Sequence, residues 1–240
     1  MSVSPSAERE PATAWALRRR GIRATANPAH WGVATMAEIA IVVGMAWVLG
    51  LWKVFEMPQG GSVSLEMLPV IYLAIRRGLV PALVAGGLYG AVVLLVPNGG
   101  VFIYHPAQVI LDYPLAYAAL ALGALVSVPI VRSAPEVGAT RPQASAARRL
   151  GAALRSHRFA LALAGAVALA TTGRLAFHFL SGLIYFGSYA PEWESAWLYA
   201  ITYNLLYLVP DAVFAFLALV LLVPATDLAG AAEAGHRVET

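Results

Sequence analysis

Three residues whose side chains are costly to bury, Asp112, His178 and Asn204, fall inside long apolar stretches of this 240-residue chain. Helix rise places them at similar depths. Asp112 lies about six residues, roughly 9 Å, past Pro106, and His178 roughly 13 Å before Gly187. Asn204 lies roughly 12 Å past Ala196. Ionisable groups within a membrane span usually face the bundle interior or a water-filled cavity. An acid, an imidazole and an amide at one level on three helices would therefore form a wall that can hold and orient a small polar molecule. Gln108 precedes Asp112 by four residues and extends the same face outward. Glu66, at the start of a shorter apolar run, approaches the same level. Singly, an intramembrane His or Asn is commonly interhelical hydrogen-bonding glue; the shared depth is what favours a site.

Aromatic residues crowd the same region. Tyr185, Phe186, Tyr189, Trp193, Trp197, Tyr199, Tyr203 and Tyr207 flank the last two spans. Tyr189, Trp193 and Trp197 also suit an interfacial belt. Tyr199, Tyr203 and Tyr207 recur every four residues and define one helix face. A carboxylate among aromatic faces in a dry setting suits a flat organic cation, since ring quadrupoles and the acid both attract positive charge. Deeper, at roughly 20 and 22 Å, lie Arg174 and Asp211. They are expected to pair as a structural element, the rival reading being that Arg174 is the counter-ion of Asp112.

The elements that must position these groups follow from composition. The chain is 60% hydrophobic and 12% charged, with mean hydropathy +0.71, where soluble domains carry about a quarter charged residues. It contains no cysteine, which excludes disulfides and thiolate chemistry. Stretches of spanning size lie at roughly 34–55, 79–96, 107–131, 159–186 and 196–223, each near the ~20 residues that cross a bilayer. A sixth, short helix around 68–75 would enter behind the irregular segment Pro58-Gln-Gly-Gly-Ser62, tolerated at depth only where protein or a cavity surrounds it. With six spans, fourteen of the sixteen basic residues fall on one side, which by the positive-inside rule is the cytoplasm. The expectation is an all-α integral membrane protein, a compact bundle of six transmembrane helices over 34–223 with both termini cytoplasmic. A mobile tail is expected over 1–33, a basic cytoplasmic loop over 133–156 and a second tail over 224–240.

The strings MPQGGSVSLEMLP, LDYPLAYAALALG, FHFLSGLIYFGSYAP and LYAITYN resemble the thiamine-specific substrate-binding (S) components of energy-coupling-factor (ECF) vitamin transporters, over about residues 35 to 222. The resemblance implies a plasma-membrane receptor that captures thiamine at the outer face. It implies as partners a transmembrane coupling subunit and two cytoplasmic ATPases, and no ATP chemistry, cofactor or metal of the chain's own. Ligand-binding roles carry over to Asp112, Tyr113, His178, Gly182, Phe186, Tyr199 and Asn204, with Glu66 and Trp193 as further candidates. Some relatives have glutamate where Asp112 stands and tryptophan where Phe186 stands, leaving Trp193 or Trp197 to compensate. Ser62 replaces an aromatic of some members' first outer loop, so the lid is expected to close differently. Ala40 and Gly44 form a small-xxx-small pair on the first helix; in the family such a face docks on the coupling subunit, and internal packing is the plainer alternative.

Two other functions compete. An importer component for another vitamin or a free pyrimidine precursor would share the fold and most of the pocket. A membrane-embedded hydrolase using His178, Asp112 and Ser181 is disfavoured, since the chain carries neither an HExxH nor a GxSxG motif.

Overall fold

The computed structural model describes residues 31–97, 103–126 and 146–226. The expected tails, most of the 133–156 loop, and with them Arg9, Arg18, Arg19, Arg20, Arg23, Arg132, Arg141 and Arg237, lie outside the described residues. Helix α1 spans Val33–Gly50, and a small antiparallel hairpin of β1 (Phe55–Glu56) and β2 (Ser62–Val63) follows. Next come α2 (Leu68–Arg77) and α3 (Leu79–Leu95), separated by Gly78. Helix α4 runs from Pro106 to Val126, α5 covers Ala146–Arg155, α6 His157–Tyr185 and α7 Ala196–Ala225.

Four helices, α1, α4, α6 and α7, are long and apolar enough to cross a membrane. At 17 residues α3 is slightly shorter, and α2 has only ten, about 15 Å of helix. Outward faces carry exposed Ile41, Met45, Leu161, Leu206, Val213, Leu217 and Leu221, the inverse of a soluble surface. Inward, Ile71, Leu120, Leu163, Leu208 and Leu219 are fully buried. The protein is thus an all-α membrane protein.

The first span is shorter than expected. It ends at Gly50 rather than near 55 because the chain turns at Leu51 into the hairpin. The expectation of a loop across 133–156 is corrected over 146–155: these residues form α5, built from Ala, Arg and Leu, which are strong helix formers. Ala153 on α5 is buried. At the C-terminal end of α2, Arg77 (2.7 and 2.8 Å) and Arg76 (3.2 and 3.3 Å) both donate to Glu38 of α1, tying the two helices together. Ala40 and Gly44 are both exposed, and a Cβ on Gly44 would meet nothing within 4 Å. The small-residue face of α1 is therefore not used for packing inside the bundle.

The irregularity of α4 matters most for the site. His105 caps its start, its Nδ1 accepting from the Ala107 N–H, and Pro106 occupies the first turn where no N–H is needed. The helix then widens to a π turn over Leu111–Leu115. Pro114 lies inside that turn, where it has no N–H to give and crowds the preceding carbonyls; the wider turn absorbs both effects. Asp112 and Tyr113 are carried on it. Gly90 of α3 backs this turn so closely that a Cβ there would lie 2.5 Å from the Tyr113 carbonyl, and Gly86 backs Tyr117 in the same way.

Candidate functional site

A partly open cavity lies between the hairpin, α4, α6 and α7. Asp112, Tyr113, His178, Gly182, Phe186, Tyr199, Asn204 and Glu66 all line it. Trp193 does not: it is 84% exposed on the connection before α7, so its expected ligand contact is corrected to an exposed position outside the cavity lining. Trp197 is also exposed; neither tryptophan takes the place of an aromatic at Phe186.

Asp112 receives three hydrogen bonds. Gln108 Nε2 and Ser181 Oγ each donate to Oδ2 at 2.7 Å, and His178 Nδ1 lies 3.2 Å from Oδ1. Ser181 thus gives its proton to the acid instead of offering it to the histidine, which is not the arrangement a serine nucleophile needs. Gly182 lets α7 approach: a Cβ there would come within 3.1 Å of the Ala200 Cβ. Asn204 Nδ2 donates to the Ala200 carbonyl at 2.8 Å, and its Oδ1 accepts from Tyr207 Oη at 2.6 Å.

Beneath this layer sits a buried charge cluster. The expected pairing of Arg174 with Asp211 is present but loose, Nη1 to Oδ2 being 3.7 Å. The close partner of Arg174 is Glu66, at 2.8 Å from Nη2 to Oε1. Glu66 also accepts from Tyr89 and Tyr117, each at 2.7 Å, and the Arg174 guanidinium lies 4.5 Å from the Tyr117 ring centroid. Asp211 Oδ1 accepts from the Ser64 N–H at 2.6 Å. Arg174 also lines the cavity. The rival expectation fails as stated: Arg174 reaches Asp112 only through His178, its Nε donating to His178 Nε2 at 3.2 Å.

One wall of the cavity is the hairpin tip, where the sequence leads to the expectation of an irregular segment over 58–62. The Gln59 N–H donates to Tyr203 Oη at 2.8 Å, and Tyr203 Oη donates to the Gly60 carbonyl at 3.0 Å. Gly61 adopts φ +89° with the Tyr207 ring packed where a side chain would stand. The four-residue repeat of Tyr199, Tyr203 and Tyr207 was the sequence signal for these contacts. Nothing in it indicated that their partner would be the hairpin. Lys53 and Glu56, paired at 2.7 Å, add a charge couple to the lining. At the rim, Tyr104 and Tyr189 share a hydrogen bond between their hydroxyls, which raises the Tyr104 phenol above its ordinary value.

A helical membrane bundle around a polar, aromatic cavity defines the class: a multi-pass membrane protein built to hold a small molecule. Residues 36–229 match the family described as Thiamine transporter protein (Thia_YuaJ). The chain is 32% identical to Thiamine transporter ThiT of Bacillus subtilis over 78% of its length and 88% of that protein. Against Thiamine transporter ThiT of Lacticaseibacillus paracasei it is 27% identical over 73% of its length and 79% of the relative. The solved structure of ThiT from Listeria monocytogenes has a TM-score of 0.66 at 24% identity, covering 81% of this chain and 95% of that one. This chain belongs to the thiamine transporter protein family.

Proposed function

We propose that this chain captures thiamine at the outer face of the plasma membrane, as the substrate-binding component of an energy-coupling-factor importer. The observation that carries the ligand reading is the charge balance of the cavity. Lys53 is paired with Glu56 and Arg174 with Glu66, so among the lining residues Asp112 remains as one anion with neither a lysine nor an arginine as partner, held by Gln108, Ser181 and His178. A low-dielectric cavity with one surplus carboxylate and facing aromatic rings favours a flat monocation. Thiamine has that charge and shape, and the family and its named relatives support the choice among such cations.

In this reading Asp112 balances the ring cation or accepts from the aminopyrimidine, His178, Tyr199 and Asn204 supply hydrogen bonds, and Tyr113 and Phe186 supply ring faces. Gly182 keeps room between α6 and α7. The fold is read as six helices with both termini cytoplasmic, α2 and the hairpin together making up one short span. The exposed Ala40 and Gly44 face of α1 is read as the docking surface for the transmembrane coupling subunit, which with two ATPases would drive release inward.

Isothermal titration of the purified protein with thiamine, its phosphates and its isolated pyrimidine moiety tests the ligand. Saturable one-to-one binding strongest for thiamine is expected. Stronger binding of the pyrimidine alone would reassign the protein to a precursor, and no binding of any of them would overturn the reading.

A further inference from the structure

We infer that Arg174 is a positioning residue that holds His178 in its neutral form with the ring proton on Nδ1, so that the Asp112 charge stays available to a cationic ligand. The inference begins with hydrogen-bond direction. A guanidinium has only donors, so the Arg174 Nε–H at 3.2 Å from His178 Nε2 requires a lone pair on that nitrogen. The single proton of the neutral ring then sits on Nδ1, 3.2 Å from Asp112 Oδ1, which accepts it. A second proton on Nε2 would set N–H against N–H with no acceptor between them.

Arg174 cannot swing away to relieve such a clash. It is 2% exposed, and its Nη2 is tied to Glu66 and, at 3.2 Å, to Tyr117 Oη. The groups that face His178 come from three helices. Asp112 approaches from α4, and Arg174 lies four residues back on α6 itself. From α7 come the Tyr207 ring, with centroids 6.1 Å apart, and Asn204 Nδ2, 3.5 Å from the His178 carbonyl. Of these Asp112 alone is anionic. Without the Arg174 donor, Nε2 would be free to carry a proton, and an imidazolium beside Asp112 would cancel the surplus charge of the cavity. Second partners commonly fix a histidine's tautomer in this way.

The consequence for the ligand rests on the cation reading above, whereas the protonation pattern does not. Long-range proton–nitrogen correlation spectra of histidine-labelled, ligand-free protein at pH 7.5 test the pattern directly, with His178 assigned by its loss in His178→Gln. One proton, on Nδ1, is expected; an Nε2–H tautomer or a doubly protonated ring would overturn the inference. The second test is the charge-balanced double variant Arg174→Met with Glu66→Gln, which removes the Nε donor while keeping the net charge. Its His178 ring proton should no longer be confined to Nδ1 in the same spectra, and between pH 8 and 5.5 its thiamine Kd should rise by roughly tenfold, the size of a one-proton linkage. Wild-type Kd should change less than the variant's over the same range. An unchanged tautomer and the same pH profile in the double variant would overturn the role of Arg174. If the variant does not fold, the wild-type spectrum decides alone. Failure of thiamine to bind at all, with the Nδ1–H pattern present, would sink the ligand reading and leave the positioning role standing.

Discussion

Replacing Asp112 with asparagine tests the charge balance most directly, because the change is nearly isosteric and removes one formal charge. A carboxylate about 4 Å from a cation, at an effective dielectric of about 20, interacts by about 4 kcal/mol. The Asp112 side chain is 15% exposed, so solvent screening reduces this, and about 2 to 3 kcal/mol should be lost on substitution. That corresponds to a Kd for thiamine raised roughly 30- to 150-fold. Folding should suffer less. Asparagine keeps an oxygen for Ser181 or Gln108, but its amide turns a donor toward one of the three groups that now donate to the acid, at a cost of about 1 to 2 kcal/mol. Calorimetric titration at pH 7.5 and physiological salt, with a melting curve of each protein, separates the two effects. A Kd within about threefold of wild type, less than 0.7 kcal/mol, in a folded variant would remove Asp112 from the binding reaction.

Three further outcomes follow from contacts around the cavity. Gly90→Ala drives a methyl group into the Tyr113 carbonyl, so it should lower stability by about 1 to 3 kcal/mol and weaken thiamine binding through the displaced π turn; unchanged melting and affinity would show that α3 does not set that turn. Tyr203→Phe removes the hydroxyl that both accepts from Gln59 and donates to Gly60; stopped-flow fluorescence should show thiamine dissociating about tenfold faster, the equivalent of one net hydrogen bond of about 1.4 kcal/mol, and an unchanged rate would show that the hairpin is not held by this contact. Arg174→Met alone should cost about 3 to 5 kcal/mol by stranding Glu66, and adding Glu66→Gln should recover part of it, whereas strictly additive losses in thermal unfolding would deny the coupling.

The spans were legible because lipid-facing and core-facing positions are both apolar, so hydropathy alone marks the helices. Depth along each helix was legible too, which is why Asp112, His178 and Asn204 were expected at one level and line one cavity. Lateral position was not. Arg174 has two acids within reach, and rise per residue does not tell which one faces it; the choice of Glu66 is made by Tyr89 and Tyr117 converging on the same carboxylate. The hairpin was illegible because each strand has two residues and its tip is held by a tyrosine 144 residues away. Helix α5 carried a readable signal in its Ala, Arg and Leu content, which its basic charge had disguised as a loop. Trp193 misled because an aromatic near a site and an aromatic at a membrane interface look alike in sequence.

A receptor for a cation must hold an anion in a poorly polarisable cavity before the ligand arrives, and an isolated buried carboxylate would tend to take up a proton. Here three donors converge on Asp112, each neutral once His178 is held in its one-proton form. Neutral donors stabilise the carboxylate without cancelling its field, whereas a bonded arginine would stabilise it and cancel that field together. The arginine of the site is placed one residue further along the chain of contacts, where it neutralises Glu66 and touches Asp112 only through the imidazole. That spacing separates two requirements that compete in a buried site. The deep cluster satisfies the charges that hold the segment before α2 to α3, α4, α6 and α7, and in the reading proposed above the layer over it would keep one charge for the ligand.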